Sequence, residues 1–132
     1  MRHEIEDQNG TVVVRLKGEM DGRAGDVQLF DALHRQLGAG RRRFVLDLAA
    51  IDRMDAVGLG VALTALAIVR NGSGDLVAAR PPDFVISLLL ITRMRDALPT
   101  ADTVEAAIER LQTQAGAPSP GPDSGPDSGP DS

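Results

Sequence analysis

The sequence predicts an α/β fold: a mixed, mostly parallel sheet of four to five strands, with four helices and an opening β-hairpin. Three observations carry this. Short runs rich in Val, Ile, Leu and Phe recur between longer segments whose apolar residues fall at helical spacing. An Asn9-Gly10 pair separates the first two runs, and this pair suits a two-residue hairpin turn with positive φ. Each later run is divided from the next by a helical segment, the pattern of right-handed parallel crossovers.

Taken in order, residues 3–8 form a short strand, and Thr11 to Lys17 a stronger one carrying Val12, Val13, Val14 and Leu16. Gly18-Glu19-Met20-Asp21-Gly22 reads as a polar loop ending it. Residues 27–37 read as a helix with Val27, Phe30, Leu33 and Leu37 on one face and Asp26 as its N-cap. Gly38-Ala39-Gly40 stops that helix. Phe44-Val45-Leu46-Asp47-Leu48 has the pattern of a buried strand, and residues 49–54 then read as a loop leading to a helix over 56–70. Asn71-Gly72-Ser73-Gly74 terminates this second helix, and residues 76–79 are the next strand. Pro82 suits the first turn of a helix over 82–92. Ala97-Leu98-Pro99 is a short extended piece. Asp102, with Glu105 three residues on, resembles a capping box for a last helix that aligns Val104, Ala107, Ile108 and Leu111.

Residues 1–114 therefore form one domain, long enough to bury a hydrophobic core. From residue 115 the composition changes, and Gly121 to Ser132 is Gly-Pro-Asp-Ser three times over, which predicts a disordered tail.

Composition removes several function classes. There is no cysteine and only two histidines, His3 and His34, so neither thiolate chemistry nor a four-ligand structural zinc site is expected. Of the net charge of −5, three units are Asp123, Asp127 and Asp131 in the tail, leaving −2 on the core, which does not recommend nucleic acid as a partner. The longest uncharged run, Ala56 to Val69, is 14 residues, against the roughly 20 that a membrane-spanning helix needs. The first residues, Met1-Arg2-His3-Glu4-Ile5-Glu6-Asp7, hold no apolar leader core, so the expectation is a cytoplasmic protein. Neither histidine lies near a nucleophile motif and no phosphate-binding glycine loop is present, so no enzyme activity, metal or cofactor is expected.

The informative segment is Met54-Asp55-Ala56-Val57-Gly58-Leu59-Gly60, after Leu46-Asp47-Leu48. Asp55 stands where a helix begins and can accept hydrogen bonds from backbone N–H groups near Val57 or Gly58. Glycine inside a helix costs up to about 1 kcal/mol against alanine. Gly58 and Gly60 so close to a helix start therefore imply close approach by a neighbouring backbone or by a partner.

These residues resemble the STAS-domain family of anti-sigma-factor antagonists. The family carries Leu-Asp-Leu at a strand end and Asp-Ser-Ser-Gly-Leu-Gly at the head of a helix, where this chain has Asp55-Ala56-Val57-Gly58-Leu59-Gly60. Gly18-Glu19-Met20-Asp21 resembles the family's Gly-Glu-Leu-Asp, and Thr92-Arg93-Met94 stands at its Thr-Gly-Leu. The resemblance covers residues 3 to 113. It implies a non-enzymatic regulator that binds an anti-sigma factor doubling as a serine kinase, of the GHKL ATPase type. In the family that kinase phosphorylates the second serine and so ends the interaction. Here that position is Val57, its neighbour is Ala56, and no Ser or Thr lies between Ala49 and Leu63. The expected partner-binding residues are Glu19, Asp21, Asp55, Ala56, Val57, Gly58, Leu59, Gly60 and Val61.

Two alternatives stand beside this reading. One is a STAS scaffold subunit of a larger signalling assembly, or a homo-oligomer held through its apolar helices. The other is a small-ligand or nucleotide-sensing domain. The residue 56–69 helix has only Thr64 as a clearly polar side chain and residues 84–91 only Ser87. Such helices either pack on several sides or leave an apolar patch exposed, and a large exposed patch marks an interaction site.

Overall fold

The computed structural model describes residues 1–116; the expected tail lies outside the described residues from residue 117 on, its repeat (Gly121–Ser132) included, while its first two residues, Ala115 and Gly116, belong to the last helix. The elements follow in the order β1 (Arg2–Gln8), β2 (Thr11–Met20), α1 (Asp26–Gly38), β3 (Arg43–Met54), α2 (Ala56–Asn71), β4 (Asp75–Ala79), α3 (Asp83–Ile91), β5 (Thr100–Ala101) and α4 (Val104–Gly116). They build one five-stranded sheet in the order β1-β2-β3-β4-β5. β1 and β2 are the antiparallel hairpin, and the other three pairings are parallel. Asn9 and Gly10 both have positive φ, 53° and 82°, as the turn chemistry requires.

Because successive parallel strands step the same way across the sheet, crossovers of one hand put α1, α2 and α3 on the same face. Strand alternation then divides the core in two. Val12, Val14, Leu16, Phe44, Leu46, Leu48, Leu76 and Ala78 point toward those three helices. Their neighbours Val13, Val45, Val77 and Ala79 point the other way and are covered by Val104, Ala107, Ile108 and Leu111 of α4.

Several boundaries differ from the sequence reading. β2 runs on to Met20 and β3 to Met54, where loops were expected, because each pairs with the other: Gly18 lies opposite Ile51, Glu19 opposite Arg53 and Met20 opposite Met54. Two register shifts along β2 absorb the irregular residues, with Gly18 at φ 101°. The N-cap of α1 is Gly25, at φ 89°, and not Asp26, which sits inside the first turn. The buried side of α1 is Leu29, Ala32 and Leu33, whereas Val27 is 65% exposed. Pro82 caps α3 from outside the helix. Ahead of α4 the cap is Thr103, whose Oγ1 accepts from the Ala106 N–H at 2.9 Å, one residue after the expected Asp102. The fifth strand is Thr100–Ala101, just beyond the expected Ala97–Pro99.

The three helices on one face end alike. In each, a left-handed residue lets the next N–H turn back to a carbonyl of the last turn, the Schellman arrangement. Arg41 N–H donates to Gln36 O after Gly40, Gly74 N–H to Val69 O after Ser73, and Met94 N–H to Leu89 O after Arg93. Arg93 therefore occupies, at φ 59°, a position usually given to glycine.

α2 is the central helix and buries Gly58, Leu59, Val61, Ala62, Ala65, Leu66 and Val69. Its apolar surplus is thus largely spent in the core, and its exposed stripe is Ala56, Val57, Gly60, Thr64 and Ala67. Most of the large exposed apolar side chains lie on and after α3 (Phe84, Ile86, Leu90, Ile91 and Met94), with Ile5, Val27 and Val57 exposed singly elsewhere.

Candidate functional site

The start of α2 is held by local chemistry. Asp55 has extended backbone, φ −105° and ψ −172°, and its Oδ1 accepts from the Gly58 N–H at 2.9 Å. This satisfies one of the N–H groups a helix leaves unpaired at its start. The Asp55 N–H reaches back to Met20 O at 3.4 Å and ties the end of β2 to the head of the helix. Gly58 is what lets the two approach: a Cβ there would stand 1.7 Å from Met20 O. Gly60, two residues on, faces open space, with nothing within 4 Å of a Cβ added there.

The nine residues singled out from sequence fall into two layers. Glu19, Asp55, Ala56, Val57 and Gly60 are exposed, and Asp21 lies among them with its side chain 9% accessible. Asp21 accepts from the Arg23 N–H at 3.1 Å and pairs with the Arg23 guanidinium at 3.6 Å, so it orders its own turn. Gly58, Leu59 and Val61 are buried beneath, with Val61 only 7% exposed, and they support the surface without presenting themselves on it. Val57 is 59% exposed and leans on the loop after β2, where a Cβ on Gly22 would come 2.4 Å from its Cγ1. The accessible part of the site is therefore a carboxylate beside an apolar knob at a helix N-terminus. It has no hydroxyl of its own: the Thr64 Oγ1, two turns along, donates to Gly60 O at 2.8 Å.

A second charged group was not singled out by the sequence reading. Asp47, 3% exposed, points to the α4 side of the sheet between two arginines. Arg15 Nη1 donates to its Oδ2 at 2.7 Å; Arg80 Nε donates to its Oδ1 at 3.0 Å and Arg80 Nη2 to its Oδ2. Burial pushes the Asp47 carboxyl up, but the Arg80 bonds, the Ala49 N–H and Arg15 together hold it below the usual aspartate range. Arg15 is further bound by Glu6, at 3.0 Å. The one sequence signal for this cluster is a carboxylate inside an otherwise apolar strand, Phe44-Val45-Leu46-Asp47-Leu48.

Among the described residues no helix is long and apolar enough to cross a membrane, and no group of three His, Asp or Glu side chains is placed to hold a metal ion.

A family model described as "Mlab, STAS domain" matches residues 3–100. BtrV of Bordetella bronchiseptica, provisionally named an anti-sigma factor antagonist, is 29% identical over 113 residues, covering 86% of this chain and 97% of that protein. The anti-sigma F factor antagonist of Paenibacillus polymyxa is 28% identical over 112 residues, covering 83% and 93%. The solved structure of the Bacillus cell-fate determinant SpoIIAA in its phosphorylated form superposes with a TM-score of 0.61 at 22% identity, covering 83% of this chain and 98% of that one, which is a likeness of fold.

Proposed function

Because the chain belongs to the STAS family of anti-sigma factor antagonists, we propose that it docks an anti-sigma factor through the exposed head of α2, and that this docking is not switched by phosphorylation there. The partner is an anti-sigma factor that is also a serine kinase of the GHKL ATPase type, and the setting is the cytoplasm. The observation that carries the reading is Val57, exposed at 59% beside the Asp55 cap in the position where the family has its modified serine.

The physics of that substitution is simple. A phosphoserine adds about −1.5 to −2 charges at the surface. Placed beside Asp55, such a group would put two anions side by side and wet the contact. Valine adds no charge and offers apolar area, so the chain holds permanently the form that the unmodified family member takes. Glu19, Asp55, Ala56, Val57 and Gly60 make the contact. Gly60 and Ala56 leave room for a partner backbone to come close.

The test is binding of the full chain to purified anti-sigma factor kinases, with and without ATP, using the wild type and Val57→Asp. Wild-type binding should be indifferent to any phosphoryl transfer onto this chain. Val57→Asp, which leaves the buried layer alone, should weaken it at least tenfold. Equal binding by the two proteins would refute the site, and release by ATP acting on this chain would refute the absence of a switch.

A second reading, a subunit of a larger assembly or a homo-oligomer, draws support from α3. Leu90 at 53% and Ile91 at 79% exposure, with Phe84 and Met94 near them, form more apolar surface than α2 presents. Light scattering behind a sizing column separates the two: a monomer under dilute conditions favours the regulator, a defined larger species the subunit.

A further inference from the structure

α4 packs over β3, β4 and β5 and reaches Val13 of β2, and it leaves the part of that sheet face around Arg2, Arg15 and Lys17 without a helix. A cleft of about 330 Å³ opens there, lined by Arg2, Glu4, Arg15, Lys17, Asp47 and Arg80 among others. That volume lies at the small end of ligand-sized pockets. In a chain of net charge −5, this cleft gathers four cations against two carboxylates.

Two features set it apart from a self-satisfied ion-pair network. First, Arg2 and Lys17 are direct partners across the antiparallel β1–β2 pair. Like charges placed opposite each other in a sheet repel and cost stability, and among the described residues neither has an ion-pair partner. Second, Arg80 has a left-handed backbone, φ 53°, directly after β4, while its Nε and Nη2 are held by buried Asp47. A strained non-glycine residue anchored this way fixes the guanidinium in place at the carboxyl end of a parallel strand, where open α/β sheets place ligands. Asp47, with Glu6 on Arg15, thus neutralises and orients the two arginines, and Arg2 and Lys17 remain as two cations in a cleft whose one other carboxylate is Glu4.

We propose that this cleft binds a small phosphomonoester, whose phosphate sits between Arg2 and Lys17 with Arg15 and Arg80 as the fixed back wall, and whose carbon part fills the remaining volume. A phosphate group presents several acceptor oxygens and close to two negative charges at neutral pH, matching converging cationic donors. The site is independent of the docking surface at the head of α2, which lies at the helix-bearing side of the sheet, so either can hold without the other.

Isothermal titration calorimetry of the full chain, in phosphate-free buffer at constant chloride, tests this with glycerol 3-phosphate and inorganic phosphate as probes. Glycerol 3-phosphate should bind saturably at one site and more tightly than inorganic phosphate. Arg2→Ala and Lys17→Ala should each weaken it roughly tenfold, the size expected for losing one charge-assisted hydrogen bond. Both side chains are exposed, so both variants should fold, and in the absence of ligand each should melt at or above the wild-type temperature as the repulsion is relieved. The proposal is overturned by the absence of a saturable heat with both probes. It is equally overturned by binding that the two variants leave unchanged, or by binding of inorganic phosphate with the ester excluded.

Discussion

Replacing Gly58 with alanine adds one methyl group at the described glycine that has the least room for one. That carbon would lie 1.7 Å from Met20 O and 2.5 Å from the Met20 carbonyl carbon, both backbone atoms that no rotamer change can move. An ordinary C···O contact is about 3.3 Å, so the head of α2 must retreat from β2 by about 1.6 Å. Overpacking of this kind costs about 1–3 kcal/mol. The retreat also breaks the Asp55 N–H bond to Met20 O, worth about 1 kcal/mol. Alanine returns up to about 1 kcal/mol of helix propensity, leaving a net loss of about 2 kcal/mol. With a urea slope of about 2 kcal/mol/M, the unfolding midpoint should fall by about 1 M. Gly60→Ala is the matched control on the same helix. It meets nothing within 4 Å and should gain the propensity alone, raising the midpoint by up to about 0.5 M. Opposite signs two residues apart are the signature. A Gly58→Ala midpoint at or above the wild type, or equal shifts in the two proteins, would refute the reasoning.

Asp55→Ala removes the side-chain cap of α2 and should cost about 1 kcal/mol in chemical denaturation. Asp47→Asn leaves Arg15 and Arg80 without their shared anion; because both arginines are partly exposed, the loss should be about 1–3 kcal/mol and not the larger figure for a fully buried pair. The Asp47 carboxyl is held low in the folded state, so its stabilisation is present above the unfolded aspartate pKa and fades as pH falls through the folded value. Urea midpoints of wild type and Asp47→Asn should therefore differ at neutral pH and converge in acid, and a gap that is constant with pH would count against the ion cluster. Arg93→Gly relieves a left-handed non-glycine residue and should raise stability by up to about 1 kcal/mol, read as a higher melting temperature.

What could be read in the sequence was what local chemistry decides. Asn9-Gly10 has one good use between two β runs, and Asp55 caps α2 because the residues needed for it lie within one turn. What escaped is decided by partners far along the chain. Residues 18–20 and 49–54 look like loops taken singly and are extended only because each supplies the other's ladder, through register shifts that no local pattern announces. The choice of Thr103 over Asp102 as a cap is a one-residue decision between two competent side chains. In α2 nearly every side chain is apolar, so which are exposed is set by the flanking helices and not by the sequence period; hence Val57 is outside and Val61 inside. The Asp47–Arg80 bond joins residues 33 apart, brought together because Asp47 and Ala79 lie opposite each other in the parallel β3–β4 pair.

The helix that covers the second face of the sheet is also, among the described helices, the last to be made. Chains emerge from the ribosome N-terminus first, at about 5–20 residues per second. Until Val104 to Leu111 have emerged, Val13, Val45, Val77 and Ala79 form a bare greasy stripe on a nascent protein whose other side is already clothed. A message that stops early, or a protease that nicks before α4, therefore yields a half-wetted sheet prone to clump or to be captured by chaperones.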